Sequence, residues 1–484
     1  MNDNEKRDRM KAEAMEKTVS KHGTTRRGFL RVLGVGAAAM ALPRWLRAEA
    51  PAKPRPNILF IMADDLGYGD LGCYGQQKIQ TPNIDRLAAE GMRFTQAYAG
   101  STVCAPSRCS LMTGMHNGHN RIRDNEPHEI WLRPDDLTVA EVLKRGGYKT
   151  GGIGKWSLGN PGSWGIPNYQ GFDYWYGHLN QDQAHFYYPH YLWENDKVVL
   201  IGNRGNKNEN YTHDLFTEKA IYFIEQHRED PFFLYLAYTI PHFSDHPDSS
   251  PERYIVPSDE PYSKKDWPQM AKNYAAMITR MDKDVGRIME LLKRKGIDEN
   301  TLVIFTSDNG PLTRGSVPIE FFDSNGELRG GKRDVYEGGI RVPFIARWPG
   351  KIAAGNINHH VLAFWDFLPT AAELAGLPEP KGIDGISFLP TLLGQPQTGH
   401  DYLYWDYGHV RKTYMQAVRM GDWKGVRVGK DAPLELYHLK RDVGETRNVA
   451  AENPQVAARI EGIMKTARID SGDYPIGNVK SNRR

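Results

Sequence analysis

The sequence predicts an α/β fold: a large mixed, mostly parallel sheet flanked by helices, with a smaller C-terminal antiparallel sheet plus helix. Three observations predict it. Short apolar runs alternate with helical patterns through most of the 484 residues, as strands joined by crossover helices do. Several of those runs are apolar at every position, as strands covered on both faces are. After about residue 395 the texture changes to closely spaced β-like runs separated by turns.

Residues 1–50 read as an address rather than as fold. Thr25-Arg26-Arg27-Gly28-Phe29-Leu30 precedes the 11-residue apolar run Val32 to Leu42, and Ala48-Glu49-Ala50 has the small-x-small pattern of a cleavage site. The run is too short to span a bilayer, which needs about 20 apolar residues. The paired arginine resembles a twin-arginine export signal. That implies a twin-arginine translocase as partner, a periplasmic or secreted bacterial location, and no stable membrane association once processed. An ordinary secretory signal or an uncleaved anchor is the alternative.

The α/β catalytic domain is expected over residues 51–395. Its strands are Ile58 to Ala63, Thr150 to Ile153, Phe232 to Tyr238 and Leu302 to Thr306, each followed at once by glycine or polar residues. Helical patterns lie between them at Asn83 to Glu90, Thr138 to Arg145, Thr212 to His227 and Met270 to Lys295. In such sheets ligands gather at the carboxyl ends of strands, where every one of these polar clusters falls. The C-terminal subdomain, residues 396–484, has β-like runs at Tyr402 to Tyr407, Gln416 to Val428 and Leu434 to Leu439, then a helical stretch from Asn453 to Ala467.

Composition excludes some classes. A 40% hydrophobic and 25% charged content is that of an ordinary globular chain. The formal charge is +3, but residues 1–50 hold 11 Lys and Arg against 6 Asp and Glu, leaving 51 against 53, or −2, for the rest. No nucleic-acid footprint follows from that balance. Three cysteines, Cys73, Cys104 and Cys109, are too few and odd in number for a disulfide framework, and a Cys73–Cys109 pair is left open.

Asp64 and Asp65 close one predicted strand, and Asp308 and Asn309 close another. Four hard oxygen donors suit Ca²⁺, or Mg²⁺, and disfavour zinc. Asp64-Asp65 alone would read as a turn or a helix cap; the paired occurrence favours a metal. Cys104 stands two residues before Pro106, which fits the first turn of a helix, so its sulfur would sit at the positive helix end. Arg108, four residues on, returns to the same face. A lone cysteine there is more commonly structural.

The segment Cys104-Ala105-Pro106-Ser107-Arg108, with Thr113-Gly114 following, resembles the Cys-x-Pro-x-Arg signature of the type I sulfatases, in the alkaline phosphatase-like superfamily. The resemblance runs from Arg55-Pro56-Asn57-Ile58 to the C-terminal sheet. It implies that Cys104 is oxidised to formylglycine by a formylglycine-generating enzyme, and that Asp64, Asp65, Asp308 and Asn309, with the modified Cys104, ligate the metal. Gly154-Lys155-Trp156 resembles the family's sulfate-binding turn, Pro241-His242 its catalytic histidine, and Gly330-Gly331-Lys332 its second lysine. Singly, Lys155 and Lys332 would be surface lysines and His242 a loop histidine.

The implied chemistry is hydrolysis of a sulfate ester, releasing sulfate from a carbohydrate or aryl substrate. One hydroxyl of the hydrated aldehyde, polarised by the divalent ion and Asp308, attacks sulfur. Arg108, Lys155 and Lys332 hold the sulfate oxygens, and His242, as imidazolium, protonates the leaving oxygen. The second hydroxyl then expels sulfate. Many family members carry a histidine two residues after the lysine of Gly-Lys-Trp to drive that last step, but this chain has Ser157, a poor base. His185 is the first candidate to replace it, also for substrate binding, because it precedes the aromatic loop Phe186-Tyr187-Tyr188-Pro189. His116, His119 and His213 are further candidates. Trp131, Trp164, Trp175 and Trp193 are available to stack on sugars or to fill the core. Two other readings stand beside the sulfatase: a phosphate mono- or diester hydrolase on the same fold, and a catalytically impaired protein that binds sulfated glycans.

Overall fold

The computed structural model describes residues 55–203, 208–244, 253–313 and 317–477, so the export-signal expectation for residues 1–50 lies outside the described residues. Residues 54–484 form one compact unit. Its centre is a ten-stranded sheet. The strands are β1 (Asn57–Asp64), β2 (Met92–Phe94), β4 (Lys149–Lys155), β5 (Tyr174–His178), β6 (Tyr191–Glu194), β7 (Lys197–Leu200), β8 (Phe232–Pro241), β9 (Thr301–Ser307), β10 (Phe344–Arg347) and β11 (Asn356–Asn358). A separate two-stranded pair joins β3 (Ala97–Tyr98) to β12 (Leu362–Ala363). The large sheet runs β11-β2-β10-β9-β1-β8-β4-β5-β6-β7. Its core, β9-β1-β8-β4-β5, is wholly parallel, and β10, β6 and β7 join antiparallel. The four strands read from apolar runs are four of those five.

Alternate side chains of the central strands feed two cores. Leu59, Ile61 and Ala63 face the helices α1 (Pro82–Ala89), α4 (Thr212–Gln226) and α5 (Gln269–Arg294). Ile58, Phe60 and Met62 face α2 (Cys104–Thr113), α3 (Val139–Arg145) and α6 (Phe367–Leu374). Both faces are therefore dry, which is why the strand sequences show no polar alternation.

The C-terminal sheet is antiparallel throughout, in the order β13 (Leu403–Tyr407), β14 (Met415–Met420), β15 (Trp423–Val428), β16 (Glu435–His438). The single run Gln416 to Val428 is two strands, because Met420 pairs with Trp423 across a turn that opens at Gly421, φ +60°. On one face Ile460 and Met464 of α7 (Pro454–Thr466) pack on Val418 and Leu436. On the other, Trp405, Ala417 and Val426 pack with Tyr98, Val103 and Trp365. This sheet is thus seated beside the start of α2.

Candidate active site

Strand register brings the predicted residues to one sheet edge. Met62 and Ala63 of β1 pair with Thr306 and Ser307 of β9, so Asp64-Asp65 and Asp308-Asn309 leave the sheet side by side. Asp64 pairs with Pro241 of β8, which puts His242 next to them. Gly154 of β4 pairs with Ala237 of β8, which delivers Lys155 to the same end. Gly154 has φ +107°, and a Cβ there would lie 1.9 Å from the Ala237 carbonyl oxygen, so only glycine permits this approach. Asp65 adopts φ +65°, an uncommon conformation for a non-glycine residue and one that concentrates at functional sites.

The carboxylates interlock. Asp65 N donates to Asp308 Oδ1 at 3.2 Å, and Asn309 Nδ2 donates to Asp65 Oδ1 at 2.7 Å. Cys104 is the first residue of α2, and its sulfur lies 3.4 Å from Asp64 Oδ1. Burial, then Asp64, pushes the thiol up to about 12. An unmodified Cys104 is therefore protonated at neutral pH and is no nucleophile.

Three buried cations face these acids. Lys155 Nζ donates to Asp64 Oδ2 at 2.7 Å, and Lys332 Nζ donates to Asp65 Oδ2 at 2.8 Å. Burial disfavours both charges, but Asp64 for Lys155 and Asp65 for Lys332 more than offset it, and both are raised above the usual lysine range. Arg108 lies with its donors committed: Nε and Nη2 to Asp308 Oδ2 at 3.1 and 2.7 Å, and Nη1 to the Lys155 carbonyl at 2.8 Å. The guanidinium braces Asp308 and the Lys155 backbone.

His242 Nδ1 donates to the Phe243 carbonyl at 2.5 Å, leaving Nε2 3.4 Å from Asp65 Oδ2. Burial, then His185, Lys332 and Lys155, push His242 well below the usual histidine range. The free site therefore favours its neutral form. His185, on the short turn Gln183–His185, stacks on it. His185 Nε2 is 3.1 Å from Lys155 Nζ. Since ammonium only donates, that ring nitrogen accepts.

The donor set fits a hard divalent cation. Asn309 Oδ1 is buried with no hydrogen-bond partner, a cost a bound cation would remove. Burial, then Asp64, pushes the Asp308 carboxyl up, with Arg108, Lys155 and Lys332 opposing. Ligating atoms of Asp64, Asp65, Cys104 and His242 lie within 4.8 Å of one another. Asp308 is outside that group, its Oδ2 held by Arg108, and His242 is inside it, although hard cations prefer oxygen.

Comparison with known proteins adds the reaction class. The family model described as Sulfatase matches residues 56–377. The chain belongs to the sulfatase family. A second model, N-sulphoglucosamine sulphohydrolase, C-terminal, matches residues 329–468. This sulfatase is 31% identical to the N-acetylgalactosamine-6-O-sulfatase of Bacteroides thetaiotaomicron over 86% of its own chain and 93% of that protein. It is 34% identical to the human N-acetylgalactosamine-6-sulfatase over 89% and 90% of the two chains. Among solved structures, that of Ps i-CgsB in complex with k-i-k-neocarrahexaose matches with a TM-score of 0.75 at 30% identity, covering 87% of this chain and 93% of that one. The sulfatase hydrolyses sulfate esters.

Other candidates do not converge on this sulfatase site. His116 and His119 stack on each other and cluster with Asp384 beyond the far end of α2. His213 lies on α4, 3.0 Å from Asp284 of α5. Cys73, Cys104 and Cys109 are all free thiols. Trp175 is core, whereas Trp164 is 53% exposed beside Tyr169. Ser107, whose Oγ donates to the Asp308 carbonyl, and Gln181, whose Nε2 is 3.3 Å from His185 Nε2, were not anticipated. Ser107 sits inside the Cys104–Arg108 signature and could have been read from it. Gln181 carries no local signal.

Proposed function

We propose that this sulfatase acts on sulfated carbohydrates through a formylglycine made from Cys104, beside a divalent cation held by Asp64, Asp65, Asp308 and Asn309. The observation that carries the reading is the convergence of Cys104, three carboxylates and two lysines at one buried sheet edge. When present, the aldehyde hydrate and the cation would supply an oxygen nucleophile with a second hydroxyl, and charge neutralisation. Ca²⁺ suits the oxygen set, with Mg²⁺ as the alternative.

The side chains divide the remaining work. Lys155 and Lys332 turn from Asp64 and Asp65 to the sulfate oxygens, while Arg108 keeps Asp308 and the Lys155 backbone in place. The negative charge of the ester raises His242 from its neutral resting form, so that Nε2 holds a proton for the leaving oxygen. His185 Nε2, already an acceptor, takes the base role left vacant at Ser157. Maturation requires a formylglycine-generating enzyme, and the twin-arginine pattern directs the folded product to the periplasm or outside.

The test is turnover by protein matured in its own host. Sulfate release from a sulfated glycan, faster cleavage of nitrophenyl sulfate than of nitrophenyl phosphate, and loss of both in Cys104→Ala are expected. An active Cys104→Ala variant, or a preference for phosphate, overturns the reading.

A further inference from the structure

A cleft opens beside Ala105, the residue after Cys104, and Ser157 and Gln181 also line it. Its polar lining is neutral and half used. Asn125 Oδ1 accepts from Ala105 N at 3.0 Å, and its Nδ2 has no partner among the described residues. Asn180 Oδ1 accepts from Gln183 N at 2.9 Å, and its Nδ2 is likewise unpaired. Asn160 is the reverse: Nδ2 donates to the His128 carbonyl at 2.8 Å and Oδ1 is left over. Gln181, only 7% exposed, has a buried Oε1 with no partner, and so does the Ser157 hydroxyl. Buried polar atoms without partners are costly, so the Gln181 and Ser157 oxygens mark a place where a ligand completes them, with the spare groups of the three half-buried asparagines beside them.

The charges around this lining point the same way. No lysine or arginine lines the cleft. Asp124 is neutralised by a two-pronged contact with Arg411, at 2.6 and 2.8 Å. His128 sits between Glu126 at 3.4 Å and Asp182 at 3.7 Å. Lys155 and Lys332 serve the scissile sulfate in the proposed reaction and are not among the residues that line the cleft. A second anionic group on the sugar would be desolvated here without a counter-charge.

Resting on the sulfatase reading, we infer that the cleft seats the sugar bearing the scissile sulfate, and that this sugar is otherwise neutral, offering hydroxyl or acetamido groups to Ser157, Asn125, Asn160, Asn180 and Gln181. The ring carries one sulfate, and a disulfated or carboxylated ring is rejected. Ser157 thereby acquires a role: the small hydroxyl leaves room where a histidine would narrow the cleft.

Binding to the full chain with Cys104→Ser, in Ca²⁺ buffer, separates the outcomes. The probes are nitrophenyl sulfate, N-acetylgalactosamine 6-sulfate, its 4-sulfate, and the 4,6-disulfate, in which whichever sulfate enters the catalytic end leaves the other in the cleft. The better monosulfate is expected to bind at least about tenfold tighter than the disulfate. Ser157→Ala, which removes a hydroxyl the protein itself does not use, is expected to weaken that monosulfate about fivefold and to leave nitrophenyl sulfate unchanged. Equal or tighter binding of the disulfate, or an indifferent Ser157→Ala, overturns the cleft assignment alone. Failure of all four probes to bind overturns the sulfate site, and this inference with it.

Discussion

His185 and His242 stack face to face, with ring centroids 3.8 Å apart and planes 13° from parallel, although 57 positions separate them in the chain. In the proposed reaction the pair divides the two proton transfers. His242 faces Asp65, and His185 faces Lys155.

Removal of His185 should expose that division. In His185→Ala, one equivalent of nitrophenol per site is expected in a rapid burst, followed by turnover slowed about a hundredfold, because loss of a base blocks only the second half of the reaction. Stopped-flow absorbance reads both phases. Adding Ser157→His should restore part of the rate, since Ser157 stands at φ +67° and histidine is among the residues that tolerate that region. A variant without a burst, or one unaffected by the replacement, contradicts the role.

Cation binding should stabilise the fold. At a hundred times its dissociation constant, Ca²⁺ is expected to add about 2.7 kcal/mol, seen as a rise in melting temperature that chelator reverses. Asp65→Ala should abolish the rise, because Asp65 joins Lys332, Asn309 and Asp308. Differential scanning fluorimetry with and without chelator is sufficient.

Backbone approach at Gly154 is a second structural test. Gly154→Ala should cost more than about 3 kcal/mol and lower the yield of folded protein, since its Cβ would lie 1.9 Å from the Ala237 oxygen. Denaturant unfolding measures it.

The C-terminal sheet is tied to the main body by Lys424, whose Nζ lies 2.9 Å from both Glu337 and Glu445, all three side chains being fully buried. Lys424→Met should destabilise by about 3–5 kcal/mol, because two carboxylates lose their shared counter-charge. Burial and Glu337 push Glu445 up to about 7 against an opposing Lys424. A carboxyl raised on folding contributes stability that is complete below its unfolded value of 4.5 and is lost as pH rises through about 7. Glu445→Gln should therefore flatten the fall in melting temperature between about pH 5 and pH 8. An unchanged slope would rule the group out.

Much of this was legible from local pattern. Because a strand buried on both faces has no polar position to confuse it, the unbroken apolar runs at Ile58 and Leu302 mark β1 and β9 to within a residue at each end, and the run at Phe232 marks the start of β8 but stops three residues short of its end. The strands beyond β4 were not read. Tyr174–His178 and the hairpin Tyr191–Leu200 mix aromatic, polar and exposed residues, and their pairing partners, not their own composition, make them strands.

Residue type and order alone marked the helix that starts at Cys104, the acids that end β1 and β9, and the lysine after Gly154, since each depends on neighbours a few positions away. The commitment of Arg108 to Asp308, the neutrality of His242 and the arrival of His185 depend on strand register and loop packing. Those link positions as remote as Asp65 and Asn309, 244 residues apart. Distance between such groups, and the burial that shifts their protons, arises only when the sheet closes, so no stretch of chain encodes it locally.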